Sequence, residues 1–261
     1  MNSDNLTLAL YRKAIDQVMI VSLTIVRYKS FLIPLALLAM AVHRIPLAFN
    51  KKCSFWKLMG CGRNGTFDLN PDWQQWALLA VWDGMEDYNK SSFIQSWWKR
   101  FTYEKWTIFM EPLSSHGKWD SEEPFTTAID NNGFNGPIGV LTRATIRFSK
   151  LKSFWNNVEP VAKLMEKSPG YITSVGIGEA PVYRQATFSI WENMESMKAF
   201  AYGSKEHSEV IRKTRQQNWY TEELFARFKI VSSTGSLNGS NPLQNIRSSN
   251  QQPTTKNQQQ T

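Results

Sequence analysis

Between Gly136 and Val231 the chain switches repeatedly between two hydrophobic periods, and the order of the switches leaves few folds open. Ile138 to Phe148 alternates, with Val140, Thr142, Ala144 and Ile146 against Leu141, Arg143, Thr145 and Arg147, as a strand does. Lys150 to Lys167 instead repeats every three to four residues. It puts Leu151, Phe154, Trp155, Val158, Ala162 and Met165 on one helical face. Tyr171 to Ile177 and Tyr183 to Trp191 read as strands about a turn at Gly178–Pro181. In the second of them Ala186, Phe188 and Ile190 oppose Gln185, Thr187 and Ser189. Asn193 opens a helix that Gly203 ends, Ser204 can cap the next, and Phe225 to Val231 closes as a strand. Strand-helix-strand-strand-helix-strand is the ferredoxin-like order.

The first half reads the same way. Asp16 to Tyr28 is apolar on both faces, which suits a central strand, and Ser30 to Val42 is a helix. Cys53 to Met59 is a short strand, Gly60 to Gly65 a turn, and Trp76 to Trp82 a further strand. A helix from Ser91 carries Phe93, Ile94, Trp97, Trp98 and Phe101 as one stripe, and Trp106 to Met110 is a strand. Glu111 to Asn135 reads as a long loop holding a solvated His116. The expected fold class is therefore α+β: two ferredoxin-like βαββαβ units forming a dimeric-α/β-barrel-type fold within one chain. Such a fold leaves a cavity between sheet and helices. The expected organisation is an extension over 1–14, a first half with its loop over 15–135 and a second half over 136–232. A Ser/Asn/Gln-rich tail over 233–261 has too few apolar side chains to fold.

Composition removes several function classes. The net charge of +8 comes from scattered basic residues with no nucleic-acid-binding motif, so no nucleic-acid partner is expected. GCGRNG at 60–65 matches G-x-G-x-x-G, but no clean apolar strand leads in and no helix opens after it, so a tight turn is the reading. Cys53 and Cys61 form no metal-ligand pattern and suit free thiols in a reducing compartment. The N-terminus lacks the pattern of a secretory leader, so a cytoplasmic location is expected. The apolar run Phe31–Val42 would reach about 18 Å as a helix, short of a bilayer core of about 30 Å. A buried helix is the first reading of it, and a peripheral contact with the inner face of the cytoplasmic membrane is the second. Eleven tryptophans suit a deep core or a flat hydrophobic ligand.

Two features carry chemistry. Arg143 and Arg147 share one face of a central strand, so they must be paired, bind an anion, or reach its wet end. His207 shares a helix face with Val210, Ile211 and Thr214 and so points inward. That pattern fits either a hydrogen-bonded core histidine or a metal ligand.

Several long stretches then narrow the reading. GPIGVLTRATIRFSKLKSFWNNV, GIGEAPVYRQATFSIW, the histidine-bearing helix and ELFARF resemble the spheroidene monooxygenases, also described as acyclic carotenoid 2-ketolases. FWKLMGCGRNGTF, PDWQQWALLAVW and WTIFMEPLSSHGKWDSEEPF fit the same pattern, so the resemblance runs from about residue 18 to 243. It implies an α+β barrel shared with aldoxime dehydratase. It also implies a haem (iron) cofactor, O₂, a ferredoxin-type electron donor and an apolar polyene or carotenoid substrate that receives keto oxygen. The alternatives are other haem chemistry on the same barrel, such as aldoxime dehydration, or non-enzymatic binding of haem or an apolar ligand. The resemblance makes His207, ahead of Ile211 and Arg212, the iron ligand, with Cys61 as its thiolate rival. His43 and His116 lie where no family histidine is expected. Arg143, Arg147 and Arg184 would hold the propionates or polarise bound oxygen, and Gln185 and Ser189 would donate hydrogen bonds in the cavity. Leu237 stands where an aromatic is usual.

Overall fold

The computed structural model describes residues 19–63, 70–125, 134–180, 182–203 and 205–244, without the side chains of 158, 159, 205–208 and 211. Strand β1 (Ile20–Tyr28) shows how the architecture arises. Its odd positions Val21, Leu23 and Ile25 and its even positions Ile20 and Val26 are all buried, in two different clusters. A strand that is apolar on both faces needs a layer on each side.

One layer is the barrel interior. β1, β2 (Cys53–Gly62), β3 (Pro71–Trp82), β4 (Thr102–Gly117), β5 (Ile138–Ile146), β6 (Tyr171–Ala180), β7 (Arg184–Trp191) and β8 (Tyr220–Gly235) close in the order β1-β3-β2-β6-β7-β5-β8-β4. Each half contributes one four-stranded antiparallel sheet of ferredoxin-like order, as the two-unit reading requires. The seams differ: β4 and β8 pair, with two register shifts, from Trp106↔Gly235 to Gly117↔Leu224, whereas β2 and β6 pair only at Gly60↔Gly178 and Cys61↔Ile177. The interior is filled by side chains such as Leu23, Leu79, Ile108, Leu141, Phe188 and Phe228. Each contributes about 1.5–3 kcal/mol by leaving water.

The other layer is helical. Over the first half lie α1 (Ile33–Val42), α2 (Arg44–Phe49), α3 (Met85–Asn89) and α4 (Ser92–Phe101). Over the second lie α5 (Leu151–Glu166), α6 (Met194–Gly203) and α7 (Lys205–Gln216). Asn193 caps α6 by accepting the Ser196 N–H at 2.9 Å.

Several boundaries differ from the sequence expectation. The loop expected over Glu111–Asn135 is, up to Gly117, the second half of β4, whose partner β8 supplies the missing hydrogen bonds. Gly117 has φ +90°, and a Cβ there would meet the Glu223 carbonyl at 2.2 Å, so only glycine fits. Trp119 and Glu122 then close a tight turn with Asp120 and Ser121 at positive φ, which drives Trp119 fully into the barrel. Gly60 and Gly62 lie in β2 rather than in a turn, and 64–69 are outside the described residues. The tail expected to be unfolded from 233 carries β8 to Gly235, and its Leu237 and Leu243 are buried in the barrel core. Residues 1–14 and 245–261 lie outside the described residues.

His43 is a core residue of the first half. It is 2% exposed, its Nε2 has no hydrogen-bond partner, and Trp97, Trp98 and Phe93 meet its ring edge-on at 5.5, 5.9 and 6.2 Å. Burial lowers its pKa from 6.5 to about 4. Between those values the unfolded chain takes a proton that the folded chain refuses, so stability falls as pH falls. The loss from above pH 6.5 to below pH 4 amounts to about 3 kcal/mol. Urea titrations across this range should show that decline, and His43→Leu should flatten it.

Candidate active site

The outer faces of the two sheets are treated differently. In the first half, Trp82, Tyr88, Trp98 and Phe109 fill the space under the helices, leaving a void of about 10 Å³ beside His43. In the second half the corresponding space is a cavity of about 200 Å³. Its floor follows from strand register: Val140↔Ser189, Thr142↔Thr187 and Ala144↔Gln185 are facing pairs on β5 and β7. The side chains on β7 that are polar and outward thus line the cavity, while Ala186, Phe188 and Ile190 enter the barrel core.

The roof is largely apolar. Phe154, Val161, Ala162 and Met165 come from α5, Met197, Phe200 and Ala201 from α6, and Val210 from α7, with Trp219 and Tyr220 at one side. Trp191 donates its indole N–H to Ser189 Oγ at 3.0 Å, so the Ser189 hydroxyl proton remains for another acceptor. Burial pushes the Tyr220 hydroxyl up to about 12, against a smaller lowering by its hydrogen bond to Thr214. It stays a neutral phenol at any physiological pH.

The expected residues divide between two places. Gln185 and Ser189 reach the cavity, as their side of β7 required. His207 lies on α7 one turn before the cavity-lining Val210, and its side chain is outside the described residues. Arg147 follows β5, exposed, with its backbone N–H bonded to the carbonyl of Trp219 at the cavity edge. It is the arginine that reaches the wet end of the strand. Arg143 takes the other course. Successive residues of a strand point to opposite faces, so Thr142 and Ala144 face the cavity and Arg143 enters the barrel, 1% exposed.

There Arg143 is paired. It bonds Glu222 and lies 3.5 Å from both Asp120 and Glu179, with its guanidinium 5.4 Å over the Trp119 ring. Arg184 joins the same cluster, 3.2 Å from Asp120 and 3.8 Å from Glu179, and Lys57 pairs with Asp120 and, at 3.6 Å, with Glu179. Three cations balance three carboxylates. The structure thus places Arg143 and Arg184 together in this cluster, apart from Ser189 in the cavity. Burial raises the Asp120 carboxyl, but Lys57, Arg184 and Arg143 together hold it below its ordinary 3.8. Burial likewise opposes ionisation of Glu222, and the Ser121 and Asp120 backbone N–H groups with Arg143 outweigh it.

Cys61, the thiolate rival, sits in the barrel core, and burial raises its pKa well above the usual thiol range. Cys53, also buried, is pushed up to about 12. Both are free, neutral thiols. Thr142, Thr187, Asn157 and Tyr220 line the cavity without having been singled out from the sequence. The alternation of β5 and β7 already placed Thr142 and Thr187 on the Gln185 side. Tyr220 and Asn157 required the tertiary packing.

A ferredoxin-like barrel of this kind defines a fold class, and comparison with known proteins bears the fold out. Aldoxime dehydratase shares the fold at TM-score 0.55, with 8% identity, over 82% of this chain and 81% of that one. A second aldoxime dehydratase structure, in complex with butyraldoxime, scores 0.53, with 8% identity, over 82% of this chain and 79% of that one. Residues 138–228, the second half from β5 to β8, match a family described as a domain of unknown function, DUF3291. Spheroidene monooxygenase of Cereibacter sphaeroides is 35% identical over 228 residues, 85% of this chain and 70% of that protein. The spheroidene monooxygenase of Rhodobacter capsulatus is 34% identical, over 81% of this chain and 89% of that protein. The chain belongs to the spheroidene monooxygenase family and is an oxidoreductase of the monooxygenase class.

Removing one partner of a buried charge is costly, so Glu222→Gln should destabilise the fold by about 3 kcal/mol in urea denaturation. Arg147→Gln, at an exposed position, should change it by less than about 0.5 kcal/mol. Because the Asp120 and Glu222 pKa values are depressed, the cluster's stabilisation is complete above about pH 4.5 and is lost as pH falls through their folded values.

Proposed function

We propose that this chain is a haem-dependent monooxygenase that introduces keto oxygen into an acyclic carotenoid of the kind its relatives are named for. The observation that carries this reading is the asymmetry between the halves. The second half keeps an apolar cavity with hydroxyl and amide groups on its floor, where the first half packs aromatic rings. Side chains cost stability when withheld from a core, so a retained cavity of this composition points to a ligand.

The lining suits a haem in chemistry. Apolar walls from α5 and α6 suit the macrocycle faces, and His207 on α7 would hold the iron. Arg147, beside Trp219 at the edge, is positioned for a propionate. In volume the cavity falls below the roughly 300–1,000 Å³ of ordinary ligand pockets, so α6 and α7 must move outward to admit a porphyrin. When bound, the haem iron would activate O₂ with electrons from a ferredoxin-type donor. The chain's own part is positional. Ser189, oriented by Trp191, and Gln185 donate hydrogen bonds from the floor. Phe154, Met165, Phe200 and Trp219 exclude water and hold the end of an apolar chain.

A peripheral membrane contact belongs to the same reading. Ser30–Phe49 forms a 20-residue helical segment, longer than the sequence run indicated and long and apolar enough to cross a membrane. One stripe of it, Ala36, Ala39, His43 and Leu47, is buried against the fold. The opposite stripe exposes Leu37, Leu38 and Ile45 to water, with Phe31 and Phe49 at the ends 72% and 82% exposed. Lys29, Arg44, Lys51 and Lys52 accompany it, and residues 29–52 hold no acid. With one stripe held by the protein, the segment lies in the bilayer surface rather than through it.

Haem added to the purified protein should give an intense Soret band, and His207→Ala should weaken it at least several-fold. Protein that stays colourless would remove the haem reading. Cells making acyclic carotenoids should accumulate a ketone when they express the chain, and unchanged pigment masses would remove the substrate assignment. In flotation assays the protein should rise with anionic vesicles, and the double variant Leu37→Glu, Ile45→Glu should stay behind.

A further inference from the structure

The weak seam between the two halves has a composition of its own. Where β2 meets β6 the inward residues Cys61 and Ile177 belong to the barrel core, while the outward positions beside them are glycines, Gly60 and Gly62 on β2 and Gly176 and Gly178 on β6. A Cβ at Gly60 would stand 3.9 Å from the Trp76 ring. At Gly178 it would meet the Arg184 carbonyl at 2.9 Å and the Gln185 amide at 3.2 Å. Where these glycines adjoin, neither strand carries an outward side chain, and the two form a trough floored by backbone. Its walls are Trp73 and Trp76 from β3 and Trp155 from α5, enclosing about 150 Å³.

Those walls are apolar in effect. Trp76 donates its indole N–H to the Trp73 carbonyl at 2.9 Å, and Trp155 donates to the Val182 carbonyl at 3.1 Å. The polar edges of Trp76 and Trp155 are satisfied by backbone, so their ring faces are what a ligand meets. The two acids at the rim are occupied elsewhere: Asp72 pairs with Arg27 at 2.9 Å, and Glu179 accepts from Trp119 at 2.6 Å and pairs with the arginine cluster. The slot has two neighbours. Gln185 borders both it and the cavity under α5–α7, and Met40 of α1, from the exposed apolar segment, lines its other side.

We infer that this slot binds an extended, flat, conjugated hydrocarbon chain and leads it from the outer surface beside α1 past Gln185 into the cavity. The inference rests on the carotenoid reading, which it deepens by assigning the substrate's path. A narrow trough with aromatic faces selects a planar chain, because a bulky group finds no room between the rings.

The test uses the full chain and cis-parinaric acid, a conjugated tetraene fatty acid whose emission can be sensitised by tryptophan. The protein should bind it saturably with tryptophan-sensitised emission. Gly60→Phe, which fills the trough, should weaken binding at least ten-fold. Trp73→Ser, at a half-exposed position the fold does not need, should weaken it several-fold. A folded Gly60→Phe protein with unchanged affinity overturns the slot and leaves the carotenoid reading standing. Absence of saturable binding by the unaltered protein overturns both. Haem titrations of the same variants separate the two sites. Intact haem uptake by Gly60→Phe alongside lost tetraene binding supports the slot, and equal loss of both overturns it as a separate path. Glycine-dependent tetraene binding by a protein that takes up no haem supports the slot while removing the haem reading.

Discussion

Closure of two antiparallel sheets into one hydrogen-bonded cylinder is the constraint on which the other features depend. Once β4 pairs with β8, and β2 with β6, every strand has one face committed to the shared interior. Among the described residues that interior is packed with large apolar side chains. Each half also has an outer face between sheet and helices, and the apolar cavity lies on that of the second half. Arg143 shows how strictly the rule applies. It stands between two cavity-facing residues on β5, yet its guanidinium must enter the barrel, and a set of carboxylates is assembled to meet it.

The two halves share a topology and diverge in how they use it. The first half spends its outer face on stability: Thr24, Tyr88 and Thr107 hydrogen-bond one another at 3.1–3.2 Å beneath packed aromatic rings. The second half leaves the same layer hollow, with Thr142, Thr187, Ser189 and Gln185 on its floor. A ligand site made this way needs no new element, only covering helices that do not send rings such as Tyr88 and Trp98 down onto the sheet. The seam follows the same logic, since glycines at β2 and β6 remove side chains where the halves meet and leave a trough.

The element order of each half was legible because two covered faces impose unmistakable periods. The direction of Gln185, Thr187 and Ser189 was legible for the same reason, as was the pairing required of any arginine buried in a strand. What escaped was non-local. The second half of β4 looks like loop because Pro112, Ser114, Ser115 and His116 are poor strand formers, and it is a strand because β8 runs alongside it. Trp119, in a turn, gives no sign of being buried in a barrel. Leu237 and Leu243 sit among polar residues that suggest disorder, and they are held because the barrel end needs closing.

By itself the sequence determined the fold class, the family, the covered face of each strand and the helix that carries His207, since these depend on local periods and on the motifs themselves. Only tertiary structure decided which outer face is hollow, that Arg143 and Arg184 serve an ion cluster, and that glycines from strands more than a hundred residues apart form one trough. The physical reason is that a period reports which side of an element is covered, whereas the covering residues come from elsewhere in the chain, and their size decides whether space remains.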